Sequence, residues 1–119
     1  MKKTVLIGAT TNPERTAFTA AQKLKANGHE VFLIGNKKGD IDGNPIHLEM
    51  PALENVDTVT LYINPKIQKD YSEYILSLHP KRIIFNPGTE NDELKKLAEV
   101  QGIKTENACT LVLLSLHEF

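Results

Sequence analysis

The fold is decided by Thr4-Val5-Leu6-Ile7-Gly8-Ala9-Thr10-Thr11-Asn12-Pro13-Glu14-Arg15, an apolar run that breaks at a glycine into a turn rich in hydroxyl groups. An amphipathic helix is predicted next, because apolar residues recur at the i, i+3, i+4, i+7 spacing, at Ala17, Ala20, Ala21 and Leu24. The N–H groups at the start of a helix are unpaired and carry partial positive charge, so they attract phosphate groups. A strand, a glycine turn and a helix in this order therefore predict a site for a phosphorylated ligand.

The rest of the sequence alternates between strand-like and helix-like segments. Strands are predicted at residues 4–7, 30–34, 58–63, 82–85 and 103–105, with a candidate short edge strand at 45–47. Strands that are joined through helices lie parallel, because right-handed crossovers place the helices on both faces of the sheet. The prediction is a Rossmann-like, doubly wound α/β fold, with one domain over residues 1–119 and a five-stranded, mostly parallel sheet in the order 3-2-1-4-5. Strand 1 would lie where the strand order reverses, which is where such sheets bind ligands.

Three further helices are predicted from the spacing of apolar residues. The first carries on one face Ile67, Tyr71, Tyr74, Ile75 and Leu78. The second covers residues 92–101 and directs toward the core Leu94, Leu97 and Ala98. The third covers residues 108–116 and is mostly apolar.

Two lysines follow the second strand, in the segment Gly35-Asn36-Lys37-Lys38-Gly39. Domains that bind NAD usually carry Asp or Glu at this place, to accept hydrogen bonds from the ribose hydroxyls. Cations there favour a ribose that itself carries a phosphate, as in coenzyme A (3′ position) and NADP (2′ position). Thr10 and Pro13 stand where the dinucleotide motif Gly-x-Gly-x-x-Gly requires glycines, which favours coenzyme A. The guanidinium group of Arg15 can donate two hydrogen bonds to phosphate oxygens at once.

Four Asn-Pro pairs occur, at residues 12–13, 44–45, 64–65 and 86–87. Asn is a good N-cap and Pro is well tolerated at the first helical position, so such pairs mark the starts of helices or turns. Three of the pairs follow strands 1, 3 and 4, which would place them at the ligand edge of the sheet. Gly88 extends the last pair into a tight turn that can bring the backbone close to a ligand.

Composition and charge exclude several classes of function. A net charge of −1 creates no field that would gather nucleic acid or an anionic membrane surface. Cys109 is the only cysteine, so no disulfide, zinc set or CxxC pair can form within the chain, and a cytoplasmic protein is expected. The four histidines have no metal-ligand spacing, and no catalytic motif is present. Cys109 itself is interpreted first as a small packing residue, and the alternative is a nucleophile at the start of the last helix.

Four motifs together match one family of proteins. They are Ile7-Gly8-Ala9-Thr10-Thr11-Asn12-Pro13-Glu14-Arg15, Asn36-Lys37-Lys38-Gly39 with Ile41-x-Gly43-x-Pro45-Ile46, Val56-Asp57-x-Val59, and Asn86-Pro87-Gly88 followed by Glu106-x-x-Cys109. Over essentially the whole chain, the sequence resembles the small stand-alone CoA-binding domain proteins, relatives of the nucleotide-binding domain in the succinyl-CoA synthetase alpha subunit. Many members carry Gln-x-Gly after strand 4, where this sequence has Asn86-Pro87-Gly88.

The resemblance implies a binding site for coenzyme A or an acyl-CoA. It implies that the pyrophosphate is held by Thr10, Thr11, Asn12 and Arg15. It likewise implies that the 3′-phosphate meets Lys37 or Lys38, and that the adenosine is bordered by Tyr62, Ile63 and Asn64. The remaining expected site residues lie in the turns after strands 1, 2 and 4, at Gly8, Ala9, Asn36, Asn86, Pro87 and Gly88. The phosphorylated histidine of the synthetase lies in a second domain, so no ligase chemistry is implied.

Three hypotheses about function follow. The leading one is a cytoplasmic module that binds or senses coenzyme A or an acyl-CoA and has no catalytic residues of its own. The second is an NADP-dependent oxidoreductase, which the two lysines permit. The third is an interaction domain whose ancestral pocket holds no ligand. A protein partner or a homodimer is compatible with the exposed part of the last helix, whereas no nucleic-acid or membrane partner is expected.

Overall fold

A seven-stranded mixed sheet forms the centre of the protein, and helices cover both of its faces. The computed structural model describes all residues, 1–119. The strands are β1 (Lys3–Ile7), β2 (Glu30–Ile34), β3 (Asp40–Ile41), β4 (Asn44–His47), β5 (Thr58–Leu61), β6 (Arg82–Phe85) and β7 (Lys104–Asn107). The helices are α1 (Thr16–Ala26), α2 (Pro65–Gln68), α3 (Ser72–Ser77), α4 (Asp92–Val100) and α5 (Thr110–Ser115). The strand order is β3-β4-β2-β1-β5-β6-β7, and only β3 and β4 pair antiparallel, so the predicted α/β class is confirmed.

The predicted five-stranded sheet in the order 3-2-1-4-5 is wrong in its number of strands, which is seven, and in the place of one strand. The predicted third strand is β5, and it pairs with β1 on the side away from β2, with Thr58 opposite Thr4. The place beside β2 is taken by β4, the candidate edge strand, with Ile46 opposite Leu33. All four residues of β5 are buried, so this strand needs neighbours on both sides and cover on both faces. Strand β4 is half exposed, so it can lie near the edge of the sheet, where one side is less covered.

The chain adds strands first on one side of β1 and then on the other, so the strand order reverses between β1 and β5. From β1 the chain moves outward to β2 and the β3–β4 hairpin, and it then returns past β1 to β5, β6 and β7. Helices α1 and α5 pack on one face around Leu24 and Leu114, and α3 and α4 pack on the other around Ile75 and Leu94. The crevice at the carboxyl ends of β1 and β5 therefore lies between helices on opposite faces, where sheets of this type bind ligands.

The buried face is predicted correctly for the first helix and only in part for the second. The buried residues of α1 are those that the apolar spacing predicts, from Ala17 to Leu24. The helix predicted around residues 67–78 is instead two short helices, α2 and α3, separated by a turn. Ile67 was expected in the core but is 45% exposed, because the fully buried side chain of Gln68 takes that position. Ile75 and Leu78 are buried as predicted.

The last part of the chain also differs in its boundaries. Leu97 is 47% exposed, because the short helix α4 buries only a narrow face formed by Leu94 and Ala98. Strand β7 continues to Asn107, which pairs with Phe85, and α5 consequently begins later than predicted, at Thr110. None of the five helices has both the length and the apolar character that crossing a membrane requires.

Candidate ligand-binding site

An open cleft of about 660 Å³ lies at the carboxyl ends of β1, β2, β5 and β6. Its walls come from the turns that follow these four strands and from the starts of α1 and α5. Most of the predicted site residues line it, namely Gly8, Ala9, Thr10, Asn12, Arg15, Asn36, Tyr62, Ile63, Asn64, Asn86, Pro87 and Gly88. The structure therefore brings together residues that are up to 80 positions apart in the sequence, Gly8 and Gly88.

Three predicted site residues, Thr11, Lys37 and Lys38, lie outside the lining of the cleft. The side chain of Thr11 packs against Gly39, where a Cβ atom would come within 2.4 Å of the Thr11 methyl carbon. Gly39 thus lets the loop after β2 rest directly on the first turn. Lys37 and Lys38 are exposed and follow Asn36, which does line the cleft. Contact between these lysines and a ligand stays a prediction.

Two glycines allow the backbone of neighbouring turns to meet at the floor of the cleft. Gly8 has a φ of +104°, and a Cβ atom there would lie 2.8 Å from the carbonyl of Tyr62. A Cβ atom on Gly35 would lie 2.5 Å from the carbonyl oxygen of Ala9. The N–H groups of Gly8 and Ala9 both donate to the carbonyl of Ile34, at 2.9 Å each. Any larger residue at either glycine would push the turns apart.

Helix α1 begins without a side-chain cap at the edge of the cleft. Arg15 occupies the N-cap position, its side chain makes no capping hydrogen bond, and the first turn contains no acidic residue. The N–H groups of Thr16 and Ala17 have no acceptor within the protein, and both residues line the cleft. Unpaired N–H groups and the positive end of the helix dipole attract an anion, and the exposed Arg15 lines the same wall. This corner can therefore hold a phosphate group.

The turn before α1 is held by its own side chains. Thr10 Oγ1 accepts a hydrogen bond from the N–H of Asn12 at 3.2 Å, and Asn12 Oδ1 accepts one from the N–H of Glu14 at 3.0 Å. The Asn12-Pro13 pair consequently starts a turn, and the helix begins three residues later, at Thr16. The Thr10 hydroxyl proton and the Asn12 Nδ2 group have no acceptor within the protein, and both residues line the cleft.

The side-chain amide of Asn86 is used entirely inside the protein. This residue is 1% exposed, and its Nδ2 donates to Thr60 Oγ1 at 2.7 Å and to the carbonyl of Leu61 at 2.9 Å. Its Oδ1 accepts from the N–H of Thr110 at 2.8 Å. The amide thereby ties β5 to the start of α5, and it lines the cleft as a fixed structural group.

Tyr62 places a buried phenol beside this group. Burial raises the pKa of Tyr62 to about 12, and the nearby hydroxyls of Thr110 and Thr60 offset only part of the effect. Those two hydroxyls pair with each other at 2.8 Å, and the buried Tyr62 hydroxyl has no hydrogen-bond partner within the protein. The phenol is therefore protonated at neutral pH. Cys109, which is half-buried, lies next to it and also lines the cleft.

Sequence reasoning missed several residues of the cleft. Those not predicted for the site are Thr16, Ala17, Gly35, Ile67, Tyr71, Thr89 and Cys109. Gly35 directly follows β2, and a glycine at the carboxyl end of a parallel strand is a signal that could have been used. The sequence favours a packing role for Cys109, and nothing in its sequence context shows that the turn before α5 reaches the cleft. The lining contains no Asp, Glu or His side chain.

Comparison with known proteins identifies a family. Residues 2–115 match the family model of the CoA binding domain. The chain is 53% identical to a protein whose crystal structure is described only as that of an uncharacterized protein, with a TM-score of 0.97 and coverage of 100% of this chain and 98% of that one. It is 28% identical to a hypothetical protein from Pyrococcus horikoshii OT3, with a TM-score of 0.84 and coverage of 98% and 82%. No curated protein matches the chain.

A more distant likeness concerns the fold alone. Aspartate dehydrogenase from Thermotoga maritima is 16% identical and has a TM-score of 0.58, over 91% of this chain and 45% of that protein. This likeness supports a Rossmann-like fold. The family model, in contrast, extends over nearly the whole sequence and includes all the turns that form the cleft. The chain therefore belongs to the CoA-binding domain family.

Proposed function

We propose that the protein binds coenzyme A, or an acyl-CoA, in the cleft at the carboxyl ends of β1 and β5. One observation carries the proposal: the uncapped start of α1, with the free N–H groups of Thr16 and Ala17 beside Arg15, faces the cleft of a CoA-binding domain. A pyrophosphate carries two adjacent negative charges, and this corner supplies both oriented donors and a cation. The protein acts there as a binding or sensing module in the cytoplasm.

The pyrophosphate is assigned to the turn between β1 and α1. The Thr10 hydroxyl and the Asn12 amide nitrogen can each donate a hydrogen bond, since their oxygens already serve the turn. Arg15 can contact two phosphate oxygens at once through its planar guanidinium. Thr11, whose methyl group packs against Gly39, contributes through its backbone.

The additional phosphate of the ligand is assigned to the loop after β2. Lys37 and Lys38 are exposed, form no ion pair, and follow Asn36 at the cleft wall. Flexible lysine side chains on a loop can reach a phosphate on the ribose as point charges. The adenosine would then border the end of β5, where Tyr62, Ile63 and Asn64 line the cleft.

The cleft supports binding better than catalysis. Its ionisable side chains are Arg15, Tyr62, Tyr71 and Cys109. General acid–base chemistry at neutral pH needs a group whose pKa lies near the working pH, and the phenol of Tyr62, with a pKa of about 12, is far from that range. The lining also offers no carboxylate or imidazole group to act as a general acid or base.

An NADP-dependent oxidoreductase is the alternative that the two lysines keep open, because NADP also carries a phosphate on its ribose. A nicotinamide dinucleotide relies on glycines for close approach of its pyrophosphate, and this turn has Thr10 and Pro13 in their place. The two candidates differ in the position of the ribose phosphate and in the group beyond the pyrophosphate. A comparison of ligands separates them.

Thermal unfolding of the purified protein with CoA, 3′-dephospho-CoA, NADP or NAD tests the proposal. A ligand at about a hundred times its dissociation constant adds about 2.7 kcal/mol, which raises the midpoint of a domain of this size by roughly 10 °C. We expect the largest rise with CoA, a smaller one with dephospho-CoA and little change with NAD. A rise with NADP alone would instead support the oxidoreductase, and no rise with any ligand would support an interaction domain.

An Arg15→Ala variant tests the assignment of the pyrophosphate. Removing a charge-assisted pair of hydrogen bonds should weaken CoA binding by about tenfold, with the unfolding midpoint of the free protein unchanged because Arg15 makes no side-chain capping bond. The matched control is Lys96→Ala, which removes one exposed cation from α4, outside the cleft. Equal CoA affinity in the two variants would remove Arg15 from the site.

A further inference from the structure

Two neighbouring turns that line the cleft are joined by one buried side chain. Gln68, at the end of α2, is fully buried. Its Nε2 donates to the carbonyl of Ile63 at 2.9 Å and to the carbonyl of Thr89 at 2.7 Å. Ile63 belongs to the wall that follows β5, and Thr89 belongs to the turn that follows β6. Gln68 itself is not part of the cleft lining.

The orientation of the Gln68 amide is fixed by its neighbours. The N–H of Leu94 donates to Asn91 Oδ1 at 3.1 Å, as the cap of α4. The Nδ2 group of Asn91 is therefore left to donate, and it meets Gln68 Oε1 at 2.9 Å. Since the oxygen of Gln68 faces a donor, its nitrogen must face the two carbonyls. Both hydrogens of the Gln68 amide are then used, one on each wall.

The turn after β6 depends on this attachment. Within the turn, the N–H and hydroxyl of Thr89 both donate to the carbonyl of Asn86, at 2.9 and 2.8 Å, and the N–H of Gly88 donates to Glu90 Oε1 at 2.8 Å. Without Gln68, the Thr89 carbonyl would be buried with no donor, and a buried unpaired carbonyl is unfavourable enough to displace the backbone. The hydrogen bonds of Gln68 thus set the separation of the two turns.

We infer that Gln68 is a positioning residue for the ligand site: without touching the ligand, it holds the turns after β5 and β6 at the spacing that the ligand requires. The inference rests on the proposed function for its affinity readout, because CoA is the ligand used. It also predicts a structural effect in the free protein, confined to residues 86–89 and the end of β5. That second readout does not depend on any ligand.

A Gln68→Glu variant tests the inference through pH. The ionised carboxylate cannot donate to either carbonyl, so at pH 8 we expect CoA binding to weaken by about tenfold or more. Burial disfavours the charged form and raises the pKa of the introduced carboxyl group. As the pH falls to 5.5, the protonated group can again donate to one carbonyl, and affinity should recover toward that of the unchanged protein. A packing defect that does not depend on the charge of the introduced carboxylate would not recover at acid pH.

A matched control and a second variant accompany this experiment. Gln101→Glu makes the same charge change at an exposed position at the end of α4. The pH dependence of its CoA affinity shows how much of the change comes from titration of the ligand phosphates. Gln68→Met keeps the length of the side chain without a buried charge, so it remains informative where Gln68→Glu does not fold. We expect Gln68→Met to lose affinity by a similar factor at every pH, with no recovery.

The outcomes separate this inference from the proposed function. Failure of the unchanged protein to bind CoA would contradict the proposed function. Amide hydrogen exchange at Gly88 and Thr89 would then show whether Gln68 holds the turn after β6 in the free protein. We expect faster exchange there in both Gln68 variants and unchanged exchange in Gln101→Glu. Tight CoA binding by the unchanged protein with equal affinity in the Gln68 variants would overturn the inference, as would unchanged exchange at those two amides.

Discussion

Asn86 shows why a residue in a binding site does not have to bind through its side chain. The sequence places Asn86 in the turn after a buried strand, which predicts a ligand contact there. In the structure, its amide bonds instead to Thr60, Leu61 and Thr110, and only its position in the turn shapes the cleft. Sequence spacing indicates which turn faces the ligand, but it does not show whether a polar side chain points outward or into a network of partners that are distant in the sequence.

Replacing Asn86 by Ala should therefore destabilise the protein more than a surface substitution does. The change removes three hydrogen bonds and leaves the N–H of Thr110 and the carbonyl of Leu61 buried without their partner. The expected loss is about 2–3 kcal/mol of unfolding free energy, measured by urea denaturation. Asn107→Ala, at the exposed end of β7, is the control and should change the unfolding free energy by less than about 0.5 kcal/mol. An equally small loss of unfolding free energy in Asn86→Ala would contradict the stabilising role of the Asn86 hydrogen bonds.

At the scale of elements, β1 and β2 are tied at their starts by a histidine. The N–H of Lys2 donates to His29 Nδ1 at 3.0 Å, just before β2 begins. Burial chiefly lowers the pKa of His29, with the positive charges of Lys2 and Arg82 adding to the effect. The neutral ring that accepts this hydrogen bond is thus favoured in the folded protein, and protonation would remove the acceptor.

This link predicts a loss of stability as the pH falls. The pKa of His29 is lower in the folded than in the unfolded chain, so between that lowered value and 6.5 the unfolded chain binds more protons. The stabilisation is fully present above pH 6.5 and is lost as the pH falls toward the lowered pKa. A His29→Asn variant, whose side-chain oxygen can still accept from Lys2, should show a smaller loss of unfolding free energy between pH 7 and 5. His79→Asn, at an exposed turn, should behave as the unchanged protein. The same pH profile in both variants would contradict the role of His29.

The type of most elements was predictable, whereas the placement of some depended on distant partners. The apolar spacing of α1 and the continuous apolar strands are local signals, and they predicted β1, α1, β2 and β6 closely. The break between α2 and α3 gives no local signal in the sequence, and it follows Gln68, whose amide donates to carbonyl groups of two turns. A polar residue at a buried helix position does not show in apolar periodicity.

At the scale of the whole molecule, the strand order decides where the ligand can lie. The predicted order put residues 58–63 outside β2, whereas β5 lies beside β1. The two-residue β3 and the short β4 were too small for the sequence to show that they occupy the other edge. The corrected order strengthens the site, since the ends of β1 and β5 are now neighbours, and Gly8 lies directly against Tyr62. Four turns thereby converge on one cleft.

The most direct test of the account is a titration of the isotope-labelled protein with CoA, followed by NMR of its backbone amides. We predict saturable shifts at the amides of Thr10, Thr16 and Ala17, and at Gly88 across the cleft. Amides at the opposite edge of the sheet, near Lys2 and His29, should not change. Shifts confined to that opposite edge, or none at CoA concentrations of several millimolar, would contradict the proposal that this cleft binds the phosphates of coenzyme A.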